Sequence, residues 1–184
     1  MDSKVLTSRF WFILTVIIAG AAMRLIPHWP NFTPVAAIAL FGGAYLSKKY
    51  LAFIVPLAAM FISDLILGFH NTMPAVYISF IITVVLGMYM LRKPKVWNIA
   101  GASIISTVMF FLVTNFASWL GSPFYPQNFT GLMESYAAGL VFLNNGAYGI
   151  SFFMNSLLGD LFYNGIFFGV FYLASLRFPV LARN

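Results

Sequence analysis

The chain has 184 residues, 61% of them hydrophobic and only 8% charged, with ten Lys or Arg, four Asp or Glu and two His. Soluble domains carry about a quarter charged residues, so this chain cannot coat a soluble globule, and its mean hydropathy of +0.91 points to an integral membrane protein. Soluble enzymes and nucleic-acid modules are excluded. The net charge of +6 reflects Lys and Arg held in cytoplasmic loops rather than affinity for nucleic acid. With no cysteine there can be no disulfide, thiolate nucleophile or Cys-ligated metal.

A helix needs roughly 20 apolar residues to cross the hydrocarbon core, fewer inside a bundle. The first candidate span is 10–26, closed by Pro27-His28-Trp29-Pro30-Asn31. The second, 34–46, is short, rich in Ala and Gly, and stops at Ser47-Lys48-Lys49. The third covers 51–68 with Pro56 inside it, where a kink is expected; the fourth covers 74–91 and ends at Arg92-Lys93-Pro94-Lys95. The fifth runs over 99–120, before Gly121-Ser122-Pro123. The apolar stretch 148–176 is too long for one simple span, so the sixth is placed at 156–176 and the remainder in a loop or interface. Between the fifth and sixth spans, 130–145 is apolar but carries Glu134, Ser135, Tyr136, Asn144 and Asn145. It reads as an outer loop helix capping or re-entering the bundle, with a seventh span as the alternative. A signal peptide over 1–22 fits poorly, because the apolar run continues into Met23-Arg24 with no polar cleavage region.

Six spans with both termini cytoplasmic place Lys4, Arg9, Lys48, Lys49, Arg92, Lys93, Lys95, Arg177 and Arg183 inside and only Arg24 outside. The expected architecture is therefore an all-α integral membrane protein forming one domain, residues 1–184, with six transmembrane helices.

Apart from Asp2, the acidic and His residues gather with Arg24 towards the outer side. Arg24 closes the first span and His28 follows; Asp64 lies in the last turns of the third, with His70 beyond it. Glu134 sits in the outer segment and Asp160 near the outer end of the sixth span, while Asn115 and Trp119 end the fifth. Charge at membrane depth is costly and normally faces a partner or a water-filled cavity. This convergence suggests a cavity open to the outside, although Arg24 with Asp64 or Asp160 could equally form a structural ion pair. Trp29, Phe32, Phe69, Trp119, Phe124, Tyr125, Phe129, Tyr136 and Tyr148 supply aromatic walls of the kind a small-molecule pocket needs, or anchors at the headgroup level. No His-x3-His or comparable spacing supports a metal site, and no nucleophile elbow surrounds any serine. No cofactor is expected.

A short internal echo accompanies this. Asn31-Phe32-Thr33 recurs as Asn128-Phe129-Thr130 at an offset of 97, and the Asp64-Leu65 pair recurs as Asp160-Leu161 at 96. Paired loops and paired acidic helix ends facing one site are the implied arrangement; chance is the competing account. Both triplets match a glycosylation sequon, which matters only in a secretory-pathway host. Ala19 to Ala22 and the Ala39/Gly43 pair are small-residue patches for close helix packing, inside the fold or against a partner.

The order of a short Ala/Gly-rich second span, a basic turn and then Pro56-Leu57-Ala58-Ala59-Met60-Phe61-Ile62-Ser63-Asp64-Leu65-Ile66-Leu67-Gly68 resembles the substrate-binding S subunits of energy-coupling-factor vitamin transporters. The strings Arg24-Leu25-Ile26-Pro27-His28 and Pro30-Asn31-Phe32-Thr33-Pro34 resemble an uncharacterised bacterial membrane family related to them. The resemblance implies six helices, a cavity capped by outer loops, and a bacterial inner-membrane location. It also implies a transmembrane coupling subunit and an ATPase supplied by other chains, since no Walker motif occurs here. The first helix lacks the Ala-x3-Ala docking surface common in such subunits.

The expected function is capture of a small, vitamin-like nutrient from the outer side of the bilayer, without catalysis. Placement alone nominates Arg24, His28, Trp29, Asn31, Asp64, His70, Asn115, Trp119, Tyr125, Tyr136 and Asp160 as ligand-binding residues. Arg24 and His28 would meet an anionic or hydrogen-bonding group, and Trp29, Trp119, Tyr125 and Tyr136 would stack on a ring. Two other classes compete. One is a non-catalytic subunit or assembly factor of a larger membrane complex; the other is an intramembrane enzyme using Asp64 and Asp160 as an acid/base pair.

Overall fold

A computed structural model describes residues 7–142 and 151–182. Asp2, Lys4, Asn144, Asn145, Tyr148 and Arg183, on which parts of the sequence reading rest, lie outside the described residues. Seven α-helices and no strand occur among them: α1 Ser8–Met23, α2 Val35–Tyr45, α3 Lys49–Leu67, α4 Met73–Met90, α5 Val96–Leu120, α6 Phe129–Val141 and α7 Phe152–Arg177. A single 3-10 turn, Pro179–Leu181, follows α7. Four helices, α3, α4, α5 and α7, are long and apolar enough to cross a membrane, whereas α1 and α2 are shorter apolar helices. At 16 and 11 residues these two extend about 24 and 17 Å. The faces that α3 and α4 turn away from the bundle carry Ile62, Ile66, Ile78 and Ile81 exposed, consistent with a membrane protein.

Local chemistry sets the helix ends. Thr7 Oγ1 accepts from the Phe10 N–H at 3.1 Å, Asn128 Oδ1 from Gly131 at 3.0 Å and Ser151 Oγ from Met154 at 3.3 Å, each relieving an unpaired first-turn donor. Gly68 closes α3 in the left-handed region with φ 93°. Beyond α1, Arg24, Leu25 and Ile26 each donate to the carbonyl three residues back, so the chain continues as a tightened turn to the 26 expected from the sequence.

One expectation changes. The run placed at 156–176 is a longer helix: Ser151 caps it, and all 26 residues from Phe152 are helical, so the assignment of residues before 156 to a loop is corrected. Between the fifth and sixth spans the chain is helical over α6, Phe129–Val141, the short helix expected there.

The core is organised around α2, whose residues 37–43 are all buried. Phe41 meets the rings of Phe167, Phe168 and Phe171 of α7 edge-on at 5.8, 5.4 and 5.8 Å. Small residues bring backbones together, as packing between apolar helices requires where lipid competes equally for side chains. A Cβ on Gly87 of α4 would lie 2.5 Å from Leu40 O, and one on Gly43 would collide with Val84 O. Gly42 faces Pro56 Cγ and Gly20 faces Phe167 Cζ, each at 2.5 Å from a built Cβ. The Gly43 patch is thus used inside the fold. At the opposite end from the site described below, Arg9 lies 5.7 Å over the rings of both Tyr45 and Phe171.

Candidate functional site

Arg24, at the end of α1, reaches across to α3. Its Nη2 donates to Asp64 Oδ1 at 2.7 Å, and its Nη1 donates to Ser63 Oγ and, at 3.3 Å, to Met60 O. Tyr77 of α4 donates to the second Asp64 oxygen at 2.8 Å. With side chains 12% and 5% exposed, Arg24 and Asp64 form the one salt bridge among the described residues. Both terminal guanidinium nitrogens are therefore engaged by protein, and the pair ties α1 to α3 and, through Tyr77, to α4.

Beside this pair opens a cavity of about 600 Å³. It lies between the loop leading into α2, the α3–α4 turn, the second half of α5, α6 and the start of α7. Phe110 and Phe111 of α5 form one aromatic wall, and Phe142, Phe152 and Phe153 another. Hydroxyls of Thr33, Thr107, Thr114, Ser118, Ser135 and Ser156 and the amides of Asn31 and Asn115 punctuate them. On α6, Ser135, Ala138 and Gly139 face the space. That helix is held on α5 by Tyr136, which donates to Leu112 O at 3.2 Å, and by Gly139, whose built Cβ would sit 3.1 Å from Phe111 Cε2.

A smaller inner pocket of about 40 Å³ adjoins the cavity; Asn31, Thr33, Val35, Phe110 and Ser156 line both. Its own walls are Ala36, Ser79, Phe80, Thr83, Ser106 and Asp160. Asp160 is buried on α7, and its Oδ2 accepts from Thr107 Oγ1 at 2.6 Å. The loop at the mouth is fixed against α7: Asn155 Nδ2 donates to Pro30 O at 2.9 Å, and Gly159 lets the backbone of Phe32 approach, a built Cβ there lying 3.1 Å from Phe32 Cα. Asn31 takes the left-handed conformation, φ 62°, which Asn tolerates better than most residues.

Of the residues nominated from sequence, Arg24, Asn31, His70, Asn115 and Tyr125 line the main cavity, Asp160 lines the inner pocket, and Asp64 is buried against Arg24. The other four lie elsewhere. His28 is exposed, with Nδ1 2.6 Å from Ile26 O, and Trp29 is exposed and packs edge-on to Phe32 at 5.9 Å. Trp119 donates its indole N–H to Pro126 O at 2.9 Å, and Tyr136 holds α6 to α5. Trp29, Trp119 and Tyr136 are thus bracing or surface aromatics, and Tyr125 alone of the four proposed stacking rings faces the cavity.

Asp64 is held by Arg24 and Tyr77 and Asp160 by Thr107, with no hydrogen-bond partner common to the two carboxylates among the described residues. The two Asn-Phe-Thr triplets also differ in role: the first shapes the cavity mouth, whereas Asn128 of the second caps α6. Among the described residues no group of three His, Asp or Glu is placed to hold a metal.

Sequence reasoning missed the hydroxyls on α4 and α5. The signal was present as Ser/Thr at four-residue spacing, Ser79/Thr83 and Ser103/Thr107, which puts each pair on one helix face. Ser79, Thr83 and Ser103 donate to the carbonyl four residues back, at 2.8 to 2.9 Å, whereas the one Thr107 hydrogen goes to Asp160 Oδ2 at 2.6 Å with Ser103 O farther off at 3.1 Å.

Residues 4–181 match a protein family described as a family of unknown function (DUF6580). No curated protein and no solved structure matches the chain.

Proposed function

The chain belongs to DUF6580, a family whose description names no activity, and from that premise we propose that it is a membrane-embedded solute-binding protein, of the type of the S subunits of vitamin transporters. The observation that carries this reading is the cavity of about 600 Å³ itself. Its size falls in the range of small-molecule sites, and aromatic walls with a few convergent polar groups are what such sites use. The cavity calls for an uncharged, ring-bearing molecule. Arg24 brings a positive charge to the wall, but Asp64 already compensates it at 2.7 Å, and hydroxyls, amides and the His70 imidazole supply the remaining polarity. An anionic ligand would have to compete with Asp64 for the guanidinium.

In this reading α1 and α2 cross the bilayer as short spans together with the four long helices. Both termini are cytoplasmic, in a bacterial inner membrane, and α6 is a lid on the outer side. Partner chains supply the energy for any uptake, and no reaction is assigned to the protein.

Native mass spectrometry of the detergent-purified protein tests the proposal. The wild type should retain a small molecule in stoichiometric amount, and Ser156→Phe, which fills the space between cavity and inner pocket, should lose it while melting normally. Retention of the same molecule by Ser156→Phe would place it elsewhere. Stable co-purification with other membrane subunits and no small molecule would instead favour a structural subunit of a larger complex.

A further inference from the structure

The inner pocket has a chemistry that a neutral solute does not use. Asp160 is 7% exposed and has no cationic partner among the described residues, the single salt bridge being Arg24 with Asp64. A carboxylate buried without compensation is costly, and more so in a bundle surrounded by lipid. Thr107 Oγ1 donates to one carboxylate oxygen at 2.6 Å, but two of the hydroxyls lining the pocket have spent their hydrogens elsewhere. Ser79 Oγ spends its one hydrogen on Ala75 O at 2.8 Å, and Thr83 Oγ1 spends its own on Ser79 O at 2.9 Å. Each hydroxyl therefore has only lone pairs left for the pocket. Ser106 Oγ, in a residue 1% exposed, lines the same pocket and has no hydrogen-bond partner among the described residues. Buried polar atoms are nearly always satisfied, so an orphan beside an uncompensated carboxylate needs an occupant.

We propose that the inner pocket binds one desolvated monovalent cation of sodium size, held by the Asp160 carboxylate and the hydroxyl oxygens of Ser79, Thr83 and Ser106. Oxygen ligands suit a hard cation. One carboxylate balances one charge, whereas sites for calcium use several oxygen ligands with more than one carboxylate, and magnesium keeps much of its water. The volume of about 40 Å³ admits an ion or a water but not a solute. The shared wall at Phe110 and Ser156 opens the pocket towards the main cavity, so a solute resting there would cover the ion. That coupling rests on the reading of the main cavity; ion binding itself does not.

Equilibrium binding of radioactive sodium to the full-length protein in detergent micelles is the test, with sodium alone as the probe. The expected result is saturable binding of a single ion per chain, displaced by unlabelled sodium and not by potassium or choline. Asp160→Asn should abolish it. Ser79→Ala and Ser106→Ala, which remove one oxygen each and leave the carboxylate in place, should weaken it by about tenfold, the effect of losing one polar contact. Should Asp160→Asn not fold, these two variants carry the test. Absence of saturable binding to the wild type, displacement by potassium as effective as by sodium, or unchanged affinity in both serine variants would overturn the site. None of these results depends on a solute, so failure here leaves the solute-binding proposal standing, and a missing solute leaves this one standing.

Discussion

Gly87→Ala sets two effects of opposite sign against each other. In the interior of a helix, Ala is favoured over Gly by about 1 kcal/mol. At Gly87 the new methyl would lie 2.5 Å from Leu40 O and 3.0 Å from Leu40 Cα, both backbone atoms of α2 that cannot rotate away. An ordinary C···O approach is about 3.3 Å, so α4 must withdraw by about 0.8 Å. A gap of that size forfeits a quarter to a half of each dispersion contact along the interface, and overpacking of a tight core costs about 1–3 kcal/mol. The clash wins by up to about 2 kcal/mol net, or up to about 8 °C of melting temperature for a chain of this length. Gly101 in α5 and Gly169 in α7 provide the control, because a Cβ there meets nothing within 4 Å. Gly101→Ala and Gly169→Ala should raise stability by about 0.5–1 kcal/mol. The assay is unfolding by increasing SDS fraction in mixed micelles, with circular dichroism as readout. If Gly87→Ala were as stable as wild type, or Gly101→Ala and Gly169→Ala lost as much, the close approach of α2 and α4 would be wrong.

Three further outcomes are expected. Arg24→Gln and Asp64→Asn should each cost about 3–5 kcal/mol by stranding a buried charge, and the double variant should lose clearly less than their sum; strict additivity in the same unfolding assay would deny the ion pair. Thr107→Val removes the donor 2.6 Å from Asp160 Oδ2 and should cost about 1–3 kcal/mol, while Thr107→Ser, which keeps the hydroxyl, should recover most of it. Trp119→Phe deletes the indole bond to Pro126 O, so hydrogen exchange should quicken in residues 121–128 and stay unchanged in α2; uniform quickening would contradict a local brace.

The end of α2, the start of α3 and the end of α4 were legible because Lys48-Lys49 and Arg92-Lys93-Pro94-Lys95 cannot sit in an apolar layer. The true start of α7 was not, since Phe152 and Phe153 continue the hydrophobic run without a breaker and only the Ser151 cap marks the boundary. The Arg24–Asp64 pair could be named as one of two options from placement alone. Choosing it over Asp160 required the helix rotations that bring Ser63, Met60 and Tyr77 around it. Aromatic side chains gave the poorest guidance: Trp29 and Trp119 lie in loops or at helix ends, where bracing a turn and lining a cavity leave the same trace in sequence. The cavity walls come instead from Phe110, Phe111, Phe152 and Phe153, which nothing in the sequence separates from lipid-facing phenylalanines.

The central position of α2 has a consequence for biosynthesis. Ribosomes deliver α2 early, but the aromatic cage around Phe41 is completed by Phe167, Phe168 and Phe171 of α7, last of the described helices to be made. Until then the Phe41 ring lacks its edge-on partners, although Gly42 and Gly43 already have Pro56 of α3 and Val84 of α4 against them. An interrupted translation product would therefore leave the Phe41 ring uncovered, and would be marked for removal by the absence of the helix that completes the finished core.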